Sequence, residues 1–204
     1  MSFLSQLDER VMRALCTIHE EHQAIAAMLQ ALSALVHGIR EYRMQPNFDL
    51  MRAMLYYART FPERSHHPKE EHWVFRLLAG RHPPARPLLA RLCDEHRIGS
   101  EMLQDAGEAL RRYERKGAPE FAAFCAAIDA FVAFERHHMA VEERDAFPLA
   151  ERHLTADDWE AIDEAFAADA DPLPDVATHD GFEPLRRPLT GQGPGRDAGP
   201  AGKT

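Results

Sequence analysis

Four histidines and two glutamates recur in this chain at matched intervals. HHPKEEHWVF begins at His66 and HMAVEERDAF begins at His138, so His66 is matched by His138, Glu70 by Glu142, Glu71 by Glu143 and Phe75 by Phe147, each 72 positions later. His22, within IHEEHQAI, is matched by His96, within CDEHRIGS, 74 positions later. A histidine and a glutamate four residues apart share one face of a helix, about one turn from each other. His66 with Glu70, and His138 with Glu142, therefore each aim an imidazole and a carboxylate the same way. Mixed imidazole and carboxylate ligands suit iron and similar cations. His67 and Glu71 have the same spacing, and the alignment through Phe75 and Phe147 favours His66 and Glu70 over them.

The elements that carry these residues read as helices. Val11, Leu15, Ile18, Ile25, Met28, Leu32 and Leu35 give a first amphipathic helix over 8–37, closed by Gly38, Pro46 and Asn47. A second runs from Leu50 to about residue 79, with a kink or local break expected at Pro62 and Pro68. A third is predicted over 88–115, a fourth over 119–151 and a short fifth over 156–168, with Thr155 as its N-cap. Short connections make consecutive helices antiparallel, so the expected fold is all-α: an up-down-up-down four-helix bundle with a short fifth helix. The domain is drawn as 1–170. Six prolines and six glycines among residues 171–204 mark a flexible tail, to which no chemistry is assigned.

On these helices the chemical residues fall on apolar faces. His22 shares a stripe with Ile18, Ile25 and Leu29; His96 shares one with Leu92, Leu103 and Leu110. Burying two carboxylates without counter-charge costs several kcal/mol per ion, and cations between them remove that cost. The remaining histidines read as surface groups, with His67 and His137 at the surface or behind the ligands. Cys16 and Cys93 read as inward-facing core filler.

The EH-x-x-I of the first helix, H-x-x-x-E-E of the second, EH-x-x-G of the third and H-x-x-x-E-E-x-x-x-F-P of the fourth resemble the hemerythrin-like, HHE cation-binding family over residues 8–152. The resemblance implies a non-haem di-iron centre ligated by His22, His66, Glu70, His96, His138 and Glu142, with the carboxylates bridging together with an oxo or hydroxo group. Oxygen-carrying members have a further inward histidine one turn along the third helix, where Leu92 and Ser100 stand here. Two six-coordinate irons offer about twelve positions, of which this set fills about ten. The open positions imply a protein that binds or senses O2, NO or peroxide. An enzyme of stress defence, consuming peroxide or repairing iron–sulfur clusters, is the second reading. A third has a purely structural metal. A ferritin-like carboxylate site can also be drawn from Glu63-x-x-His66 and Glu135-x-x-His138 with Glu21 and Glu95, but that fold needs a long crossover and leaves His22, Glu70, His96 and Glu142 without a task.

Composition excludes other classes. A net charge of −9 argues against nucleic-acid and anionic-membrane partners. No apolar run approaches the roughly 18 residues of a membrane span. The first residues lack the pattern of a signal peptide, and three scattered cysteines make no disulfide framework, so a cytoplasmic home is expected.

Overall fold

In this computed structural model, backbone is described for residues 3–168 and side chains for residues 13–168; the Pro/Gly-rich stretch 171–204 lies outside the described residues. The described chain is helical, with no strand. The first helix is Phe3–Tyr42, the second spans 48–81, the third is Arg86–Lys116, the fourth spans 121–153 and the fifth is Ala156–Ala168. No helix among the described residues is long and apolar enough to cross a membrane.

The first helix outruns its predicted end. Gly38 is buried inside it, with Met44 Sδ 2.7 Å from where a Cβ would stand, so this glycine makes room for the returning chain instead of stopping the helix. The stop comes at Arg43, which takes the left-handed φ of 53°. In the second helix the prolines produce no break. Pro62–His66 and Glu70–Phe75 are π-helical, and the chain stays helical through both. A third π stretch, Glu142–Ala146, interrupts the fourth helix. Each widened turn begins or ends on one of the repeated site residues, a usual place for such turns.

Packing partners run in opposite sense along neighbouring helices. Between the second and third, Arg52 meets Glu114, Glu63 meets Ser100 and Glu71 meets His96. Between the first and fourth, His22 meets Glu143 and Arg40 meets Asp129. The core comes in two parts. One contains Ile25, Leu29, Leu32, Met51, Met54, Leu103, Leu110, Phe124 and Ile128. The other contains Ile18, Val74, Leu78, Leu92, Val141, Ala150, Trp159 and Ile162. On every long helix the histidines and glutamates of the repeat lie at the join between the two parts.

Cys16 is exposed, which corrects its inward placement, whereas Cys93 is half-buried and packs against the second part of the core. The inward positions of the first helix are Ala14, Ile18 and His22, and Cys16 falls about half a turn away from them. His82 and His153, expected to face solvent singly, are half-buried and stacked on each other at 3.9 Å.

Candidate metal centre

The repeat positions converge on one buried layer. His22, His66, His96 and His138 are buried, and Glu70 and Glu142 are wholly so. Glu70 Oε1 lies 3.5 Å from Nε2 of both His22 and His66, while its Oε2 lies 3.4 Å from Nε2 of His96. Glu142 answers from the other side, with Oε1 at 3.4 Å from His96 Nε2 and 3.0 Å from His138 Nε2, and Oε2 at 3.3 Å from His22 Nε2. Each carboxylate thus spans a His22–His66 pair and a His96–His138 pair.

These close approaches satisfy no hydrogen bond. Nε2 of His22, His96 and His138 and all four oxygens of Glu70 and Glu142 are buried without a hydrogen-bond partner. A fold that strands seven polar atoms in one layer needs a reason, because each costs desolvation energy. Atoms that close but unaligned are turned toward shared points between them. Ligand atoms of His22, His66, Glu70 and Glu142 lie within 4.8 Å of one another, as do those of His96, His138 and Glu142. Nitrogen and oxygen donors gathered this way could hold metal cations, which would satisfy the stranded atoms.

The charges show the same tension. Burial alone would push the His22 imidazole down, but the carboxylates of Glu142 and Glu70 outweigh it and push it up to about 10. His96 is pushed up to about 12 against the same burial by Glu142, Glu70 and Glu71. Burial and the neighbouring Glu142 charge would raise the Glu70 carboxyl, yet His66, His22 and His96 hold it at about 2. Without a cation, protons on the imidazoles serve as the counter-charge.

An outer ring of carboxylates grips the far side of every imidazole. Nδ1 of His66 donates to Glu21 at 2.9 Å, and Nδ1 of His138 donates to Glu95 at 3.0 Å. Nδ1 of His22 donates to Glu143 at 3.0 Å, and Nδ1 of His96 to Glu71 at 2.6 Å. Each donor bond fixes the tautomer that leaves Nε2 free to ligate. Every gripping glutamate is adjacent in sequence to an inner residue, so Glu21–His22 and Glu95–His96 are one kind of doublet, and Glu70–Glu71 and Glu142–Glu143 the other. The doublets were visible in the sequence as the repeated EH and EE, although Glu21 and Glu95 also served there to draw a ferritin-like site. Glu63 of that drawing faces solvent and accepts from Ser100 Oγ at 2.9 Å.

The competing register is also placed. Glu71 is turned to His96 Nδ1, and His67 is half-buried with its ring stacked on His96 at 3.8 Å. His137 is exposed. Lys69 was not anticipated: it is buried, with Nζ donating to Glu21 and, at 3.3 Å, to Ser65 Oγ. Its position between the candidate histidines and the candidate glutamates carried no periodic signal of burial.

Comparison with curated proteins finds no match. The model of one protein family does match: the Hemerythrin HHE cation binding domain, over residues 14–150, a span that includes all six inner residues and all four outer carboxylates.

Proposed function

From the premise that this chain belongs to the hemerythrin HHE cation-binding domain family, we propose that it holds two iron ions and uses them to bind or sense a small oxidant or diatomic ligand, namely O2, NO or peroxide. His22 and His66 would ligate one iron, His96 and His138 the other, and Glu70 and Glu142 would bridge them. The observation that carries this reading is the set of seven buried, unpartnered donor atoms facing one another across the layer. When bound, such a centre supplies redox and Lewis-acid chemistry toward small oxidants. The protein's own contribution is placement: Glu21, Glu71, Glu95 and Glu143 orient the imidazoles, and the buried Leu103 and Phe131 would help keep the layer dry.

The scaffold is an up-down-up-down antiparallel four-helix bundle with a fifth helix against it, a reading supported by the opposed contacts along neighbouring helices. The functional unit is residues 1–170, with 171–204 an appendage. A cytoplasmic location fits three cysteines that form no disulfide.

Elemental analysis of protein made in iron-replete cells tests the proposal, with about two irons per chain expected. Replacing His66 and Glu70 together by alanine should abolish iron retention, whereas replacing His67 and Glu71 should only weaken it, by about tenfold, through the loosened His96. A folded parent chain without iron would end the reading. Reversible azide or NO spectra without turnover would support binding or sensing, and sustained peroxide consumption would move the assignment to an enzyme.

A further inference from the structure

The repeat extends past the inner residues to the groups outside them. The shift that takes His22 to His96 takes His19 to Cys93, and the shift that takes Glu71 to Glu143 takes His72 to Arg144. In one half, His19 Nδ1 lies 3.5 Å from Glu143, the carboxylate that grips His22. In the other, Cys93 takes the equivalent place and lines a cleft together with Glu71, the carboxylate that grips His96. Burial and the Glu71 charge push the Cys93 thiol up while His96 pulls it down, so both residues act on it.

The cleft lies between the second and third helices, has a volume of about 410 Å³ and opens to solvent. At about 30 Å³ per water, it has room for a divalent cation together with its hydration shell. Three of its lining residues offer uncommitted metal donors: Glu71, His72 and Cys93. Glu71 uses only Oε1 on His96, its side chain is 33% exposed, and among the described residues nothing engages its other oxygen. His72 is exposed and Cys93 is a free thiol. The charges that could interfere are occupied, with Arg97 on Glu101 at 2.6 Å and Glu63 on Ser100 at 2.9 Å. The inner wall is His96, whose ring lines the cleft and whose buried, unpartnered Nε2 ends in the metal layer. In the opposite half Arg144 puts a positive charge where His72 offers a donor.

We propose that this cleft is the loading port of the metal centre, where a hydrated divalent cation of the iron(II) class docks on Cys93 Sγ, His72 and the second oxygen of Glu71 before passing His96 into the layer. The inference rests on the metal-centre reading above and adds a side, a route and a docking site. Thiolate and imidazole donors select borderline-soft transition metals over Mg2+ and Ca2+. Docking exchanges the thiol proton, released to solvent, for the metal, and the thiol recovers a proton when the ion moves on.

The test uses the metal-free full chain with Co2+ as the probe, in a Cys16→Ser background that leaves Cys93 as the accessible thiol beside the buried Cys125. On rapid mixing, a thiolate-to-cobalt absorption in the near ultraviolet should rise first and decay as the metal reaches the inner histidines and glutamates. Cys93→Ser combined with His72→Ala should remove that transient and slow uptake at least about tenfold, the lower end of what a lined cleft adds to association rates. Its final metal content should match the parent's. His19→Ala, on the opposite half, should load like the parent. Unchanged uptake in the Cys93→Ser, His72→Ala chain overturns the proposal. A second readout needs no working centre: in the His66→Ala, Glu70→Ala chain, saturating Co2+ should slow alkylation of Cys93 by iodoacetamide about tenfold, and Mg2+ should not. Where that variant folds poorly, the parent with its layer already filled by Zn2+ takes its place. Alkylation indifferent to Co2+ also overturns the proposal. A parent layer that takes no metal would end the metal-centre reading alone, and the alkylation assay would still decide whether the cleft holds a cation.

Discussion

At the scale of single residues, the outer carboxylates that look equivalent by repeat are held differently. Glu21 is buried and grips both His66 and the buried Lys69, whose ammonium also lies 5.7 Å from the Phe166 ring. The position matching Lys69 in the other half is Val141, and Glu95 is left with Arg91, half-exposed and 3.6 Å away. Burial would raise the Glu21 carboxyl, but His66 and Lys69 together hold it below the usual range. Glu21→Gln leaves a buried ammonium without its partner and should cost about 3–5 kcal/mol of stability. Glu95→Gln should cost about 1 kcal/mol or less, since its arginine is solvated. Both should weaken metal binding at least about tenfold by loosening an imidazole. Melting curves set beside competitive metal titrations would separate the two effects, and equal stability losses would refute the asymmetry.

At the scale of elements, the fifth helix shows how a short piece of chain is pinned. Thr155 Oγ1 accepts from the Asp158 backbone N–H at 3.3 Å, while Asp158 Oδ2 accepts from the Thr155 N–H at 2.8 Å, a reciprocal cap. Arg81, at the end of the second helix, then donates twice to the same Asp158 at 2.8 and 3.0 Å. Asp158→Ala should destabilise the fold by about 1–2 kcal/mol and speed proteolysis near residue 155, a change that gel analysis of timed digests would detect. The Thr155 cap, the five helices and most of their ends were readable from periodicity and from cap and breaker residues. The six inner side chains were readable because the repeat doubles the signal of each. The π stretches were not, because a one-residue slip of backbone hydrogen bonding changes neither composition nor the apolar stripe. Gly38 misled for a related reason: a glycine that makes room for Met44 is written with the same letter as one that ends a helix.

At the scale of the molecule, protons and cations compete for the same layer. His22 and His96 are raised above their ordinary 6.5 in the metal-free fold, to about 10 and about 12. A raised basic group stabilises the fold fully below its unfolded pKa, and that support fades as pH climbs through the folded value. The metal-free chain should therefore lose thermal stability steadily from about pH 6.5 toward pH 10. Glu70 acts at the other end, with a contribution present above its ordinary 4.5 and lost as pH falls through about 2. A cation needs neutral imidazoles, so its uptake expels protons and its affinity rises with pH. Melting temperatures of metal-free and iron-loaded protein should accordingly diverge between about pH 6.5 and 9, and parallel curves would contradict this account.

The division of the interior into two apolar bodies also bears on what the scaffold could become. The polar layer is a seam across every long helix, and no fold requires a seam. Leucine and methionine at 22, 66, 70, 96, 138 and 142 would fuse the halves into one continuous oily interior, with the Glu21–Lys69 pair as the buried charge that remains. Such a sextuple variant should melt above the metal-free parent and ignore chelators altogether. A more stable but inert protein from the same backbone would show that the natural sequence accepts a weaker middle in exchange for its chemistry.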